Sequence, residues 1–297
     1  MRFGIAGNTE KTEIGQVVEA LVARFRRERI PFVLHDRLAA TLRARVGWLK
    51  AARLRTVPER RLARSCDILI SLGGDGTILR MTRLVSADGT PILGINLGKL
   101  GFLAEVSRDE LDPVLDEILR GDYEVEERIM LEAGVARKRR RYCALNDIVI
   151  DLSASSRMLQ VETFVSGKYL ATFTGDGIIV STPTGSTGYA LSNGGPILTP
   201  TNRAIMISPI CPHTLTARPV IVPDDSVVTL VVKRAPARVN IAADGQTQHV
   251  QKAPVTVTVR RAPFTAKLIK RINTSYYDVL RRKLQWGKDV RTSEEIT

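Results

Sequence analysis

Residues 68–77 read ILISLGGDGT, a short apolar run that stops at two glycines. An uninterrupted run of this kind is typical of a parallel strand that is buried on both faces. The glycines after it let the backbone adopt positive φ and let a ligand approach main-chain N–H groups closely. A helix is predicted from Ile78 onward, and its N-terminus favours anions. The segment therefore predicts a strand–loop–helix unit whose loop, Gly73–Thr77, is suited to phosphate.

The aspartate inside this loop is unexpected, because a carboxylate repels phosphate. Asp75 makes chemical sense if it accepts a proton from an attacking hydroxyl, or if it helps to hold a Mg²⁺ ion that offsets the charge. The alternative interpretation is a glycine-rich turn whose aspartate only caps the helix. Because the pentapeptide GGDGT rarely arises by chance, we favour the functional interpretation and assign Asp75 as the catalytic residue.

Around this unit, the first 120 residues alternate strand and helix patterns. Apolar residues recur at helical spacing over Ile14–Phe25, and Ile92–Ile95 repeats the buried-strand pattern. Ser107 with Glu110 predicts a capping box, and Gly121 predicts the end of the helix that it opens. Alternation of this kind predicts a parallel sheet with helices on its faces.

From about residue 124 the pattern changes to short β-branched segments separated by turn residues. Examples are 147–152, 178–181 and 255–259. These segments predict an antiparallel, sandwich-like second domain. A helical stripe returns after residue 270. We predict domains at 1–123 and 124–269, with 270–297 as a C-terminal helical segment.

A second motif, TPTGSTGYALS, spans residues 182–192. Its hydroxyl groups are spaced by glycine and would suit ribose and phosphate oxygens; they belong to Thr182, Thr184, Ser186, Thr187 and Ser192. The ring of Tyr189 could lie against a base or a nicotinamide. The alternative is an ordinary polar loop between strands.

Composition limits the class of protein. The chain has 297 residues, of which 44% are hydrophobic, and this suits about two globular domains. Nothing near the N-terminus resembles an export signal, and no apolar run approaches the roughly 20 residues of a membrane span. Three widely separated cysteines argue against a disulfide framework and against CxxC metal chemistry. We expect a cytoplasmic protein that does not associate with membranes.

The formal net charge of +13 is unusual. Much of the excess lies in Arg24–Arg29, Arg53–Arg64 and Arg137–Arg141. One interpretation is a nucleic-acid partner. These stretches carry few aromatic residues on which bases could stack, so we favour a solvated, arginine-rich surface and expect no specific nucleic acid.

The motifs together resemble the NAD kinase family. The resemblance rests on GGDGT at 73–77, NLGKLGFL at 96–103, Asn146-Asp147, Gly175-Asp176-Gly177, TPTGSTGYALSNGGPI from residue 182, Cys211–Leu215 and Asp244-Gly245-Gln246. It covers nearly the whole chain in the family's order. GGDGT alone is less specific, because diacylglycerol-type lipid kinases and 6-phosphofructokinases carry similar loops.

The resemblance implies a fold and an activity. The expected fold is an N-terminal Rossmann-like α/β domain followed by a β-sandwich, with the C-terminal helix returning to the first domain. The expected activity is transfer of a phosphoryl group from ATP, or from polyphosphate, to the 2′-hydroxyl of the adenosine ribose of NAD, with Mg²⁺ or another divalent metal. A homodimer or homotetramer is also implied. The rival functions are a lipid kinase and a basic nucleic-acid-binding module.

The resemblance also implies a set of NAD-binding residues. Asp75 would accept the proton of the 2′-hydroxyl, Asn146 and Asp147 would hydrogen-bond NAD, and Phe102 would pack on the NAD side of a cleft. Asp176 would accept from the adenine amino group. The full implied set is Asp75, Gly76, Arg80, Asn146, Asp147, Arg157, Thr174, Asp176, Thr187, Gly188, Tyr189, Ala190, Leu191, Ser192 and Gln246; no metal-ligating residue is assigned.

Two positions depart from the family's usual pattern. Gly188 stands where most members have alanine, which loosens the loop without removing a donor. Thr174 stands where some members place a charge near the nicotinamide end. The preference between NAD and NADH therefore stays open.

Overall fold

The structure is a computed structural model that describes residues 1–45, 54–98, 101–136, 138–153, 157–272 and 274–286. The chain divides into two compact units. The first comprises Met1–Glu126 with Lys267–Thr297, and the second comprises Glu127–Ala266. The chain passes between them within two long strands, Tyr123–Val135 and Val255–Arg271.

The first unit contains a parallel sheet with helices along the chain between its strands. Its strands are β1 (Phe3–Gly7), β2 (Phe32–His35), β3 (Thr56–Val57), β4 (Ile68–Gly73), β5 (Ile92–Asn96) and β6 (Val106–Ser107). Its first helices are α1 (Ile14–Arg27), α2 (Asp36–Arg45), α3 (Glu59–Leu62), α4 (Asp75–Val85) and α5 (Leu111–Arg120). The order β3-β2-β1-β4-β5 is parallel throughout, as in a Rossmann-like half, and β6 pairs with β5. The predicted α/β architecture is confirmed.

Most of the local features that the sequence predicted for the first unit are present in the structure. The apolar stripe of α1 is buried from Ile14 to Phe25. Ser107 and Glu110 form the capping box in both directions, and Gly121 ends α5 with a φ of 86°. The predicted start of α4 at Ile78 was wrong. The helix begins at Asp75 after Gly74, so the aspartate lies in its first turn.

The C-terminal helix, α7 (Tyr276–Leu284), belongs to the first unit. Ser275 caps it by accepting the backbone N–H of Tyr277. The ammonium of Lys283 lies 5.7 Å from the centre of the Phe102 ring. The helix predicted after residue 270 is confirmed over these residues.

The second unit consists of β-strands. After β7 (Tyr123–Val135) come β8 (Arg141–Ala144), β9 (Asp147–Leu152), β10 (Leu159–Val165), β11 (Lys168–Gly175), β12 (Gly177–Ser181), β13 (Ala204–Ile210), β14 (Val220–Pro223), β15 (Val228–Val232), β16 (Val239–Ala243), β17 (Thr247–Gln251) and β18 (Val255–Arg271). One sheet has the order β14-β13-β12-β9-β16-β17, with antiparallel neighbours. The other runs β11-β10-β15-β18, with β7 beside β18 and β8 beside β7.

The core of this unit lies between its two sheets. Ile148 and Ile150 of β9 share one buried cluster with Val161 of β10 and Leu230 of β15. The intervening residue Val149 points to the opposite face of its sheet, as the period of two requires. That face carries a short helix, α6 (Tyr189–Ser192), through buried Ala190. The predicted sandwich is confirmed. No described helix is long and apolar enough to cross a membrane.

Candidate active site

The glycine-rich motif lies where the parallel strands of the first unit end. Gly73 is the last residue of β4 and pairs with Asn96 at the end of β5. The N–H of Leu97 donates to the Gly73 carbonyl at 3.1 Å. Ligands of open α/β sheets bind outside the carboxyl ends of the strands, so this edge is the expected place for a site.

The Asp75 carboxylate is held by backbone from another segment. Its Oδ2 accepts the N–H of Phe102 at 2.8 Å, and its Oδ1 accepts those of Leu103 and Ala104, both at 3.1 Å. The carboxylate thus fixes the segment after β5 and does not act as a simple cap of α4. These contacts orient it at the strand ends.

Two glycines make this arrangement sterically possible. A Cβ on Gly101 would lie 1.8 Å from Asp75 Oδ1, well inside contact distance. Gly73 has a φ of 158°, and a Cβ there would lie 2.2 Å from Thr77 Oγ1. Glycine at both positions therefore lets the backbone approach. Lys99 and Leu100 of the NLGKLGFL motif lie outside the described residues.

Gly76 and Arg80 lie on α4 beyond Asp75, the first exposed and the second half-buried. The charge of Arg80 acts on His35, which is 1% exposed at the end of β2. Burial lowers the pKa of His35, and Asp36 opposes this shift more strongly than Arg80 adds to it. The charge of Arg80 therefore reaches the buried end of β2.

In the second unit, Asn146 and Asp147 lie at the start of β9 and are held by Asp244. Asp244 Oδ1 accepts the backbone N–H of Asn146 at 2.8 Å and of Asp147 at 3.3 Å. Its Oδ2 accepts the N–H of Leu145 at 3.1 Å. The N–H of Asp244 donates in turn to the Asp147 carbonyl at 3.0 Å.

The Asp147 side chain is 5% exposed. Burial raises its pKa to about 7, and the neighbouring charge of Asp244 acts in the same direction. A carboxyl group whose proton is lost near neutral pH is a recognised mark of a functional position.

The TPTGSTGY motif is folded more tightly than the sequence suggested. Thr184–Thr187 form a 3₁₀ turn that leads into α6. Thr182 Oγ1 donates to the Leu145 carbonyl at 2.5 Å, and Ser186 Oγ donates to the Pro183 carbonyl at 2.6 Å. Both side chains are fully buried. The expectation that these two hydroxyls face a ligand was wrong, because buried hydroxyls bond to nearby backbone.

The glycines of this motif bring it against Asn146. A Cβ on Gly185 would lie 2.1 Å from the Asn146 carbonyl oxygen, and one on Gly188 would lie 3.2 Å from Asn146 Nδ2. Gly188, the departure from the usual alanine, therefore leaves extra room beside the Asn146 amide. Thr187 donates its hydroxyl to the Thr184 carbonyl at 3.1 Å.

Four further residues of the implied set form the short helix α6. Tyr189 is 46% exposed, Ser192 is exposed, Leu191 is half-buried and Ala190 is buried. Burial raises the pKa of Tyr189, followed by the charge of Asp151, with lesser contributions that include Asp176 and Asp147. The charges of Asp147 and Asp176, two carboxyl groups of the implied set, therefore both act on Tyr189.

The remaining members of the implied set in the second unit are Thr174, Arg157, Asp176 and Gln246. Thr174 is half-buried near the end of β11, and its carbonyl accepts the N–H of His213 at 2.8 Å. Asp176, Arg157 and Gln246 are exposed. The structure thus brings Asn146, Asp147, the 182–188 turn and Tyr189 together.

Sequence reasoning missed three residues. Gly101 and Asp244 belong to motifs that were recognised, but their contacts join segments far apart in the chain. Arg128 of β7 is 2% exposed and donates to Thr184 Oγ1 at 3.3 Å. An arginine in a strand gives no local signal of such burial. Across the described part of the chain, no three His, Cys, Asp or Glu side chains converge as a metal cluster.

Two family models match the chain. The ATP-NAD kinase N-terminal domain matches residues 3–123, and the ATP-NAD kinase C-terminal domain matches residues 145–271. Among curated proteins, the chain is 40% identical over 293 residues to the NAD kinase of Moorella thermoacetica, covering 96% of this chain and 90% of that one. It is 43% identical over 261 residues to the NAD kinase of Geobacter sulfurreducens, covering 82% and 92%.

Solved structures agree on the fold. Yeast NADH kinase complexed with NADH matches with a TM-score of 0.88 at 24% identity, covering 99% of this chain and 90% of that one. An NAD kinase from Archaeoglobus fulgidus in complex with ATP matches with a TM-score of 0.76 at 24% identity, covering 96% and 99%. With both halves matched in order and curated relatives at 40% identity or more along most of the chain, the protein belongs to the NAD kinase family.

Proposed function

We propose that the protein transfers a phosphoryl group to the 2′-hydroxyl of the adenosine ribose of NAD, producing NADP. The observation that carries this proposal is the Asp75 carboxylate, oriented by three backbone N–H groups beside the glycine-rich end of β4. The family gives the reaction, and this carboxylate gives it a base at the edge where ligands of such sheets bind.

Asp75 is proposed as the general base. As the 2′-oxygen forms its bond to phosphorus, the bond from phosphorus to the leaving phosphate oxygen breaks, and the hydroxyl proton passes to Asp75. A positioned base of this kind contributes about 10²–10⁴-fold to the rate. Oδ1 already accepts two N–H groups, whereas Oδ2 accepts one and keeps a lone pair for the hydroxyl.

The first turn of α4 is proposed to receive the transferring phosphoryl group. Gly73 and Gly74 give close access to the backbone, and the dipole of the 11-residue helix favours an anion at its N-terminus. ATP is the proposed donor, with polyphosphate as the alternative. A divalent cation such as Mg²⁺ would neutralise phosphate charge; with Asp75 bound to backbone N–H groups, phosphate oxygens would supply most of its ligands.

The second unit is proposed to supply the dinucleotide contacts. The cluster of Asn146, Asp147 and Tyr189 would bind polar groups of NAD, and Asp176 would accept a hydrogen bond from the adenine amino group. The support is the convergence of these side chains with the 182–188 turn. Arg80, Arg157, Thr174 and Gln246 are assigned by the family pattern alone. A homo-oligomer and a cytoplasmic location remain predictions.

One assay tests the activity directly. Purified protein would be incubated with NAD or NADH, each crossed with ATP or polyphosphate, and formation of NADP or NADPH measured with and without Mg²⁺. NADP formed with ATP is the expected result. A lipid acceptor phosphorylated in place of NAD, or neither, would overturn the proposal.

The dinucleotide contact has its own test. In Asn146→Ala, loss of a hydrogen-bond partner costs roughly 1–3 kcal/mol, which is about 5- to 150-fold in NAD affinity. Calorimetry with NAD on the folded variant gives the answer. Unchanged affinity would make the pair a structural turn only. Asn202→Ala is a matched control, because its side-chain oxygen accepts a hydrogen bond from Thr199 in an exposed turn.

A further inference from the structure

The turn between β16 and β17 contains a buried aspartate, Asp244, which is not among the site residues implied by the family resemblance. Asp244 is 8% exposed and has a φ of 51°, a conformation that residues other than glycine adopt uncommonly. Its carboxylate points back to the start of β9 and accepts the backbone N–H groups of Leu145, Asn146 and Asp147. These three contacts are all to N–H donors, which suits the ionised, acceptor-only form.

The charge of this carboxylate acts on the carboxyl group of Asp147. Among the described residues, no hydrogen-bond donor contacts the Asp147 side chain. The charge of Asp147 acts in turn on Tyr189 of α6. Burial, reinforced by the charge of Asp244, raises the pKa of Asp147 to about 7. Near neutral pH the group is therefore divided between its acid and its carboxylate.

We propose that Asp244 is a positioning residue for NAD: it fixes the backbone of Asn146 and Asp147, and its charge couples the binding of a ribose hydroxyl by Asp147 to release of a proton. This inference rests on the proposed function. The side-by-side amide and carboxylate offer a donor and an acceptor, which match hydroxyl groups that can both accept and donate. A hydroxyl that donates to Asp147 selects the ionised form and displaces the proton.

The coupling has a measurable size. At pH 7, a group with a pKa of about 7 carries about half a proton, so binding that demands the carboxylate releases about half a proton to the buffer. The KM for NAD should fall as pH rises from 6 to 8. kcat, which depends on Asp75, should not follow this ionisation.

The test variant is Asp244→Asn, which removes the charge at nearly the same size and also turns an NH₂ group toward at least one of the three backbone N–H donors. The proton release at pH 7, measured by calorimetry with NAD in buffers of different ionisation enthalpy, should drop well below half. The pH at which the KM for NAD changes should move to lower pH by about one unit, since loss of a like charge favours ionisation of Asp147. A merely structural role would weaken NAD binding equally at every pH.

Two further variants keep the interpretation clear. Asp147→Asn cannot ionise and should abolish proton release and flatten the KM profile. Asp224→Asn is the matched control, because Asp224 is also a buried aspartate of the second unit but accepts from Arg203 and Arg261. It should leave proton release unchanged.

A second measurement separates this inference from the proposed function. The carboxyl ¹³C signal of Asp147 can be titrated in the protein without substrate, in the wild type and in Asp244→Asn. An unmoved midpoint, or a wild-type midpoint below pH 5, would overturn the role of Asp244 whether or not the protein phosphorylates NAD. Failure to bind NAD, with the midpoint shifted as expected, would instead count against the proposed function.

Discussion

The carboxylate of Asp75 accepts the backbone N–H of Phe102 at 2.8 Å, across 27 residues of sequence. The next two N–H groups, of Leu103 and Ala104, reach the other carboxylate oxygen. The GGDGT motif and the second half of the NLGKLGFL motif are thus one structural unit. Their joint function is to hold one carboxylate where the parallel strands end.

Replacement of Asp75 by Asn should lower kcat by about 10²–10⁴-fold, because the base is removed. The amide would also place an NH₂ group against at least one of the three backbone N–H donors, so some local movement is expected. NAD affinity, measured by calorimetry, should change far less than kcat. Near-wild-type turnover would remove Asp75 from the catalytic role.

Gly101→Ala should damage catalysis while leaving the carboxylate chemically intact. The added methyl group would lie 1.8 Å from Asp75 Oδ1, so either the carboxylate or the 101–104 backbone must move. Misplacement of a catalytic group by about 1 Å can cost about 10²-fold, and we expect a kcat loss of that order. Steady-state kinetics with saturating NAD and ATP measure it.

Gly98→Ala is the matched control in the same motif. Among the described residues, a Cβ there would lie 3.4 Å from Lys11 Nζ, the flexible end of a long side chain, and 3.9 Å from Asn96 Oδ1, an ordinary contact distance. Its kcat should stay within about twofold of the wild type. Equal losses in the two variants would mean that the motif is sensitive to alanine in general, and the specific contact with Asp75 would lose its importance.

The sequence predicted those structural features that depend on residues close together along the chain. The stripe of α1, the capping box at Ser107 and the strand at Ile92 depend on neighbours within a turn or two, and all three are present. Periodicity also separated the α/β part from the sandwich. Such signals are local, so they survive without knowledge of the fold.

The contacts that shape the candidate site were not predictable in this way. Asp244 bonds to Asn146 across 98 residues, and no periodicity connects the two positions. The hydroxyls of Thr182 and Ser186 were expected to face a ligand, but burial directs them to backbone carbonyls. Hydroxyl density in a sequence predicts a polar turn; only the fold determines which hydroxyls remain available.

Asp147→Asn should change how stability depends on pH. The folded pKa of about 7 lies above the unfolded value of about 3.9, so between these values the folded state holds a proton that the unfolded state has lost. Stability therefore falls as pH rises through this window and levels off above it. The variant lacks this loss and should gain on the wild type by up to about 1.4 kcal/mol per pH unit.

Thermal or urea unfolding at pH 5, 6, 7 and 8 measures this difference. Asp225→Asn is the control, because Asp225 is exposed on the same unit. It should track the wild type at every pH. A constant offset between Asp147→Asn and the wild type would show that Asp147 ionises in the folded state as it does in the unfolded chain.

The last prediction concerns the excess positive charge. Arg139 and Arg140 are exposed in the turn between β7 and β8, and Arg141 is exposed at the first position of β8. The Arg140 guanidinium lies 5.4 Å from the centre of the Tyr142 ring. Arg137, the first residue of this cluster, lies outside the described residues. Exposed charges farther than a Debye length from a site, about 8 Å at physiological ionic strength, are largely screened. They should influence the approach of anionic ATP more than the bound complex.

Replacement of all three arginines by serine should therefore leave kcat within about twofold and lower kcat/KM for ATP modestly, most visibly at low salt. Removing the same number of charges elsewhere, at exposed Arg234, Arg238 and Lys252, tests whether only net charge matters. Similar results for the two triple variants would support a solvated surface. A kcat loss close to that of Asp75→Asn, seen only in the first variant, would show that this turn takes part in the reaction. If nucleic acid competes with substrate, and only the first variant loses this competition, the turn would be a nucleic-acid-binding surface.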